Sequence, residues 1–194
     1  TYGDLLKSNI NFKKKVKSKS SFFIILDNSI YCIQKYINII SNKHLAILVD
    51  HKTNLKDIDK LVYTYKPNYI ISSKMWLSKT NIKNLKLIED GKNYVFISTN
   101  FKFSKIHKNL SLLLPTSGSM ASLKYAKLTD QNLKFNSDKI KDYLNINTND
   151  RSITSMQPSY SFMLSIIHSH IDNGASLYVT KESLLQKKFW EELK

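Results

Sequence analysis

Residues 115–129 read PTSGSMASLKYAKLT. Thr116, Ser117, Gly118 and Ser119 set three hydroxyls beside a glycine, and Lys124 follows a short way on. Residues of these types can hold phosphate. Hydroxyl and backbone N–H groups donate to phosphate oxygens, glycine lets the backbone approach closely, and lysine supplies the countercharge. The apolar run LSLLL precedes the stretch, and DQNLKFNSDKIKDYL, with the pattern of a helix, follows it.

Two common phosphate loops are excluded. In the P-loop pattern Gly118 and Lys124 have the right separation. However, Leu123 stands where the second glycine belongs, and Tyr125 where the magnesium-binding hydroxyl belongs. That loop also needs a helix directly after its lysine, whereas YAKLT looks extended. The dinucleotide fingerprint needs three glycines, and this loop has one.

Other reactive side chains carry less. His168 and His170 lie two apart in a helical pattern and so point to different faces, which speaks against one shared metal ion; no metal site is expected. Cys32 is the only cysteine, sits among apolar neighbours and is expected to be a buried structural residue. A single cysteine excludes an internal disulfide and fits a reducing cytoplasm.

The elements that must position the loop come from hydrophobic periodicity. SFFIILDN, HLAILVD and NYIIS are short apolar runs of the kind buried on both faces of a sheet. Between them, Ile30, Ile33, Ile37 and Ile40, with Tyr36 alongside, and then Leu55, Ile58, Leu61 and Val62, fall at helical spacing. Alternating strands and helices predict an α/β fold, a mostly parallel sheet with helices on both faces. Further on, LKLIEDGKNYVFIST predicts a hairpin turning at Gly91, RSITSMQP and ASLYVT predict strands, and SFMLSIIHSHIDNG predicts a helix stopped by Gly174. KESLLQKKFWEELK predicts a last helix.

The 194 residues are 42% hydrophobic and 11% aromatic, enough to bury a core. The first residue is Thr1, which predicts a trimmed or processed chain or a fragment. No apolar run is long enough for a membrane helix. A net charge of +15 invites a nucleic-acid reading. Against it, Arg151 is the only arginine, and arginine is the usual reader of bases and phosphates. The densest basic run, NFKKKVKSKS, reads as a solvated linker ahead of the first strand.

The segment TSGSMASLKYAKLTDQNL resembles the core signature of the adenylate-forming superfamily, which includes acyl-CoA synthetases and peptide-synthetase adenylation domains. Thr116, Ser117, Gly118, Ser119 and Lys124 match in order, with Thr129 and Asn132 in the tail. TYGDLLKSN, KPNYIISS and the region from Arg151 to Thr180 also resemble family segments, so the likeness covers nearly the whole chain. It implies the N-terminal part of the family's large domain, residues 1–194, with the mobile C-terminal lid outside the chain. The implied chemistry joins a carboxylic acid to ATP with Mg2+, forming an acyl-adenylate. The acyl group then passes to coenzyme A or a carrier-protein thiol. Thr116, Ser117, Gly118, Ser119 and Lys124 would hold the phosphates.

Tyr160 and Phe162 would line an acyl pocket, with core packing as the alternative. The resemblance also implies that the ribose-binding carboxylate and the catalytic lysine lie downstream, so the isolated chain should not complete the reaction. Met120 replaces a family threonine, Ala121 a glycine, Leu123 a proline and Tyr125 a glycine. One hydrogen bond lost to a charged group is worth roughly 1.5–3 kcal/mol, so weaker ATP binding is expected. Two rival readings follow: a degenerate, non-catalytic α/β binding module and, more weakly, a basic nucleic-acid-binding domain.

Overall fold

The computed structural model describes residues 1–16, 18–102, 105–116 and 124–193. Helix α1 (Tyr2–Lys15) opens on a capping box in which Thr1 and Asp4 bond each other's backbone N–H. Strand β1 (Ser21–Leu26) leads to α2 (Ile30–Ser41), β2 (Leu45–Asp50), α3 (Leu55–Tyr65) and β3 (Tyr69–Ser73). A short α4 (Lys74–Leu77) precedes the hairpin β4 (Lys86–Asp90) and β5 (Tyr94–Ser98). A second hairpin joins β6 (Leu110–Pro115) to β7 (Tyr125–Thr129). Helix α5 (Asp130–Leu144), β8 (Arg151–Ile153), α6 (Ser161–Ile171), β9 (Ser176–Tyr178) and α7 (Lys187–Leu193) complete the chain.

The main sheet has the order β4-β5-β3-β1-β2-β6-β7. Its centre, β3-β1-β2-β6, is parallel, and β5, β4 and β7 add antiparallel edges. The expected α/β class, with helices on both faces, is the fold observed. All six residues of β1 are buried, and they divide by alternation. Phe22, Ile24 and Leu26 join Phe12, Tyr36, Met163 and Ile167 on the face of α1, α2 and α6. Phe23 and Ile25 join Ile58, Val62 and Trp76 on the face of α3 and α4. Strands β8 and β9 form a separate parallel pair.

Three sequence expectations are corrected. The basic run is not simply a linker, because α1 continues through Lys15. Phe12 is 1% exposed and Val16 is also buried, so the run turns its few apolar residues inward while Lys13, Lys14 and Lys15 face outward. Ile30 was expected on the buried stripe of α2 but is 70% exposed; Cys32, Ile33, Tyr36 and Ile39 form the buried face instead. The last helix begins at Lys187 rather than Lys181. Ahead of it the Glu182 N–H donates to Thr180 Oγ1 and the Ser183 N–H to Gln186 Oε1, and these local bonds replace a helical turn.

Other expectations hold. The β4–β5 hairpin turns at Gly91, whose N–H donates to the Tyr94 carbonyl. Gly174 takes a left-handed conformation, φ +74°, just past α6. Cys32 is free and buried, and burial pushes its thiol up to about 12. Among the described residues no helix is long and apolar enough to cross a membrane.

Phe12→Ala should therefore destabilise the protein by about 3–5 kcal/mol. Ile30→Ala should stay within about 0.5 kcal/mol. Urea denaturation compares them, and equal effects would place the α1 anchor wrongly.

Candidate functional site

Parallel strands bring their C-terminal ends to one edge of a sheet. Here that edge carries the residues after Leu26, Asp50, Ser73 and Pro115. From β1 the chain crosses over α2 to β2; from β2 it travels back across β1 over α3 to β3. The two crossovers lie on opposite faces and run in opposite directions, so the strand order reverses at β1 and the chain diverges between the ends of β1 and β3. Such a divergence opens the crevice in which open α/β sheets bind ligands.

The phosphate-loop candidate stands on the same edge. β6 and β7 pair antiparallel with Pro115 opposite Tyr125, and the Thr116 N–H donates to the Lys124 carbonyl at 2.9 Å. The Thr116 hydroxyl donates to that carbonyl as well, at 3.0 Å. Thr116 and Lys124 are exposed at the mouth of the hairpin. Ser117, Gly118 and Ser119 lie outside the described residues, as do Met120, Ala121 and Leu123. The extended chain after Lys124, predicted from YAKLT, is β7. Thr129 and Asn132 cap α5 reciprocally, which fixes the direction in which the chain leaves the hairpin.

At the crevice, the carboxylate of Asp27 accepts hydrogen bonds from the Tyr94 hydroxyl and from Lys181 Nζ, the latter at 3.1 Å. Lys181 Nζ also donates to the Tyr94 oxygen at 2.9 Å. Burial raises the Asp27 carboxyl, but hydrogen bonds from Ser29, Tyr94 and Lys181 outweigh it and hold the group below its ordinary value. The Tyr94 bond, and then Asp27, raise the Lys181 ammonium against the opposing effect of burial. Burial and the Asp27 bond together raise the Tyr94 phenol. At the end of β2, Asp50 accepts from the Lys52 N–H at 2.8 Å and from the Ser159 hydroxyl at 3.3 Å. Ser159 thus ties the start of α6 to the end of β2.

Tyr160 is the N-cap of α6 and gives it no side-chain cap bond. Tyr160 is 53% exposed and Phe162 59% exposed, so core packing is not their role in this structure. His168 and His170 do point apart. His168 Nε2 meets the Tyr36 hydroxyl at 2.8 Å, and His170 Nδ1 meets the Ile166 carbonyl at 3.0 Å. Among the described residues no group of three or more His, Cys, Asp or Glu is arranged to hold a metal ion. Magnesium, implied by the resemblance, needs only one or two carboxylates when it rides on nucleotide phosphates, and at the ends of β1 and β2 the carboxylates are Asp27 and Asp50.

Sequence reasoning missed Asp27, Tyr94, Lys181, Asp50 and Ser159. One signal was present: two buried strands, SFFIIL and HLAILV, each run directly into an aspartate. Nothing local marks Tyr94 or Lys181.

No protein-family profile matches the chain, and no curated protein matches it in sequence. Solved structures do match it in shape. Apo MatB from Rhodopseudomonas palustris superposes with a TM-score of 0.73 at 14% identity, covering 100% of this chain and 42% of that one. The o-succinylbenzoate CoA synthetase MenE from Bacillus subtilis, in complex with the acyl-adenylate intermediate OSB-AMP, gives 0.72 at 12% identity, covering 100% and 52%. VinN gives 0.70 at 16% identity, covering 92% and 52%. At such identities the likeness is one of fold. It is the fold of adenylate-forming enzymes that the sequence signature implied. The chain spans about half or less of the length of these structures.

The Asp27 cluster makes a pH prediction. The Asp27 carboxyl has a lower pKa folded than unfolded, so its stabilisation is complete above about pH 4 and is lost as pH falls through the folded value. Asp27→Asn should lower the melting temperature at pH 7, and the gap to wild type should close towards pH 2. A constant gap across that range would show that the carboxylate charge contributes nothing.

Proposed function

We propose that the chain is the N-terminal portion, residues 1–194, of the large domain of an ATP-dependent ligase that activates a carboxylic acid. The observation that carries this reading is the position of Thr116 and Lys124. They close a hairpin at the C-terminal edge of the parallel sheet, the edge that carries the β1/β3 crevice, in a chain with the fold of MenE and MatB. MenE was solved with an acyl-adenylate, MatB also with ATP, and VinN also with 3-methylaspartate. Each neighbour thus binds a nucleotide, an acid or both in this fold.

In the proposed reaction a carboxylate oxygen attacks the α-phosphorus of ATP. The bond to the bridging oxygen breaks, pyrophosphate leaves, and an acyl-adenylate remains. Thr116 and Lys124, with Ser117, Gly118 and Ser119, bind the phosphates of ATP, and the Lys124 ammonium offsets their charge. Tyr160 and Phe162, exposed at the start of α6, form one wall of the acyl site. The sulfur of a thiol, of coenzyme A or of a carrier protein, then attacks the acyl carbon and gives up its proton to solvent, the bond to the phosphate oxygen breaks, and AMP leaves as the thioester forms. Each step depends on orientation and charge placement more than on covalent catalysis by the protein. No step is assigned to magnesium.

A second reading has a specific observation behind it. Met120 and Ala121 stand where the signature has a hydroxyl and a glycine, and a loop so altered fits a binding module without turnover. Two measurements separate the readings. ATP–pyrophosphate exchange on the full-length gene product, across a panel of carboxylic acids, should show exchange with at least one acid. ATP binding with no exchange for any acid would favour the module. Lys124→Ala should weaken ATP binding by about tenfold or more, the value of one hydrogen bond to a charged group. Unchanged affinity would remove Lys124 from the site.

A further inference from the structure

The basic run Asn11–Ser20 plays no part in the reaction proposed above, yet the fold gives it a definite place. The N-terminal ends of the parallel strands form the edge opposite the hairpin loop. There a recess of about 230 Å³ is lined by Lys13, Val16, Ser18, Lys19, Asn42, Lys43, His44 and Lys108. Its four lysines come from four separate segments: the last turn of α1, the approach to β1, the turn between α2 and β2, and the approach to β6.

Two of these lysines have an ordinary explanation. Lys13 lies in the last turn of α1, where cations complement the helix dipole, and Lys43, just past the cap of α2, pairs with Asp130. Lys19 and Lys108 end no helix. Lys19 Nζ donates to the Lys108 carbonyl at 2.7 Å, which draws the two segments together. Among the described residues, the carboxylate meeting this set is Asp130, on Lys43 at 2.8 Å. One carboxylate against four ammonium groups leaves a concentrated positive field. Burial lowers the Lys19 ammonium, and Lys43 lowers it further against the pull of Asp130, so like charges are held together at a cost.

His44 is the neutral neighbour of these cations and a reporter for the recess. It lines the recess and is 3% exposed. The Ser20 backbone N–H donates to His44 Nδ1 at 3.2 Å, so Nδ1 is the unprotonated nitrogen and Nε2 carries the proton. That Nε2–H is buried and has no hydrogen-bond partner among the described residues. Burial and the Lys19 charge hold the imidazole neutral, down to about 4. The ring packs against Phe12 and Phe22 with Nε2 out of reach of solvent, so His44 is a neutral wall of the recess and not one of its donors. The donors are the lysine ammonium groups, four against one carboxylate, and such a set is completed by an oxyanion, whose several lone pairs each accept a charge-assisted bond.

We infer that this recess is a binding site for a small phosphate-class oxyanion, inorganic phosphate or diphosphate, separate from the hairpin loop on the opposite edge. Size supports the class. The recess is smaller than the roughly 300–1,000 Å³ of sites for drug-sized ligands, so it suits an ion and not a nucleotide.

The test titrates the full-length protein with inorganic phosphate and, separately, with diphosphate at fixed ionic strength. It follows the His44 imidazole resonances by NMR and affinity by calorimetry. Saturable binding that shifts His44 is expected for one or both ions. Lys13→Gln and Lys108→Gln, both at exposed positions, should each weaken that binding by about tenfold. Lys56→Ala, on the far side of the sheet, should leave it unchanged. Lys124→Ala should also leave the His44 response unchanged, which keeps this site distinct from the ATP loop. Absence of a saturable His44 shift would overturn the inference. So would equal weakening by Lys56→Ala, which would show diffuse attraction to a basic surface of the kind a polyanion such as RNA exploits.

Discussion

The central strand β1 has no solvent face, and most of the architecture follows from that constraint. Its side chains alternate between two cores, so something apolar must cover each face of the sheet. Its neighbours β2 and β3 are parallel to it, and a parallel neighbour cannot be reached by a tight turn. Each needs a crossover long enough to hold a helix. Because β2 and β3 lie on opposite sides of β1, connections of one hand place α2 and α3 on opposite faces. The same connections part the chain between the ends of β1 and β3. Asp27 stands at that parting and Asp50 at the end of β2, because strands buried on both faces can turn polar only where they leave the sheet.

A second constraint concerns charge. Helix α2 buries Lys35, whose ammonium meets Glu89 at 2.5 Å and lies 5.2–6.0 Å from the rings of Phe12, Tyr31 and Phe96. Burial lowers this ammonium, and Glu89 holds it up. Glu89 also takes Lys15 at 2.8 Å. One carboxylate on the edge strand β4 therefore links α1 and α2 to the β4–β5 hairpin. A buried pair of this kind adds little net stability over apolar packing, but leaving either partner alone is costly. Its consequence is geometric. It fixes the position of the β4–β5 hairpin, and with it Tyr94, against the end of β1.

The parallel core was legible because strands buried on both faces are continuous apolar runs, and helices between them repeat at their own period. The first helix was not. Its inward residues, Phe12 and Val16, are few and set among lysines, so the segment had the composition of a linker. Ile30 fitted the helical spacing but lies in the first turn of α2, beyond the edge of the core. The loop was proposed from residue types, since hydroxyls, glycine and lysine in a short stretch carry their chemistry with them; of its residues, Thr116 and Lys124 are among those described. The Asp27–Tyr94–Lys181 cluster could not be found that way. Its members are 67 and 154 positions from Asp27, and only the fold brings them together.

The β6–β7 hairpin explains how such a site can diverge without losing its frame. The bonds between Thr116 and Lys124 depend on strand register, which the paired residues from Leu110 to Pro115 and from Tyr125 to Thr129 set. The described pairs are enough to hold Lys124 opposite Thr116. Under the proposed reading, substitutions such as Met120 and Ala121 would then remove donors while Lys124 keeps its place, and phosphate affinity and catalytic competence would be separable: the first would rest partly on a lysine placed by strand pairing, the second also on how many donors meet the phosphates.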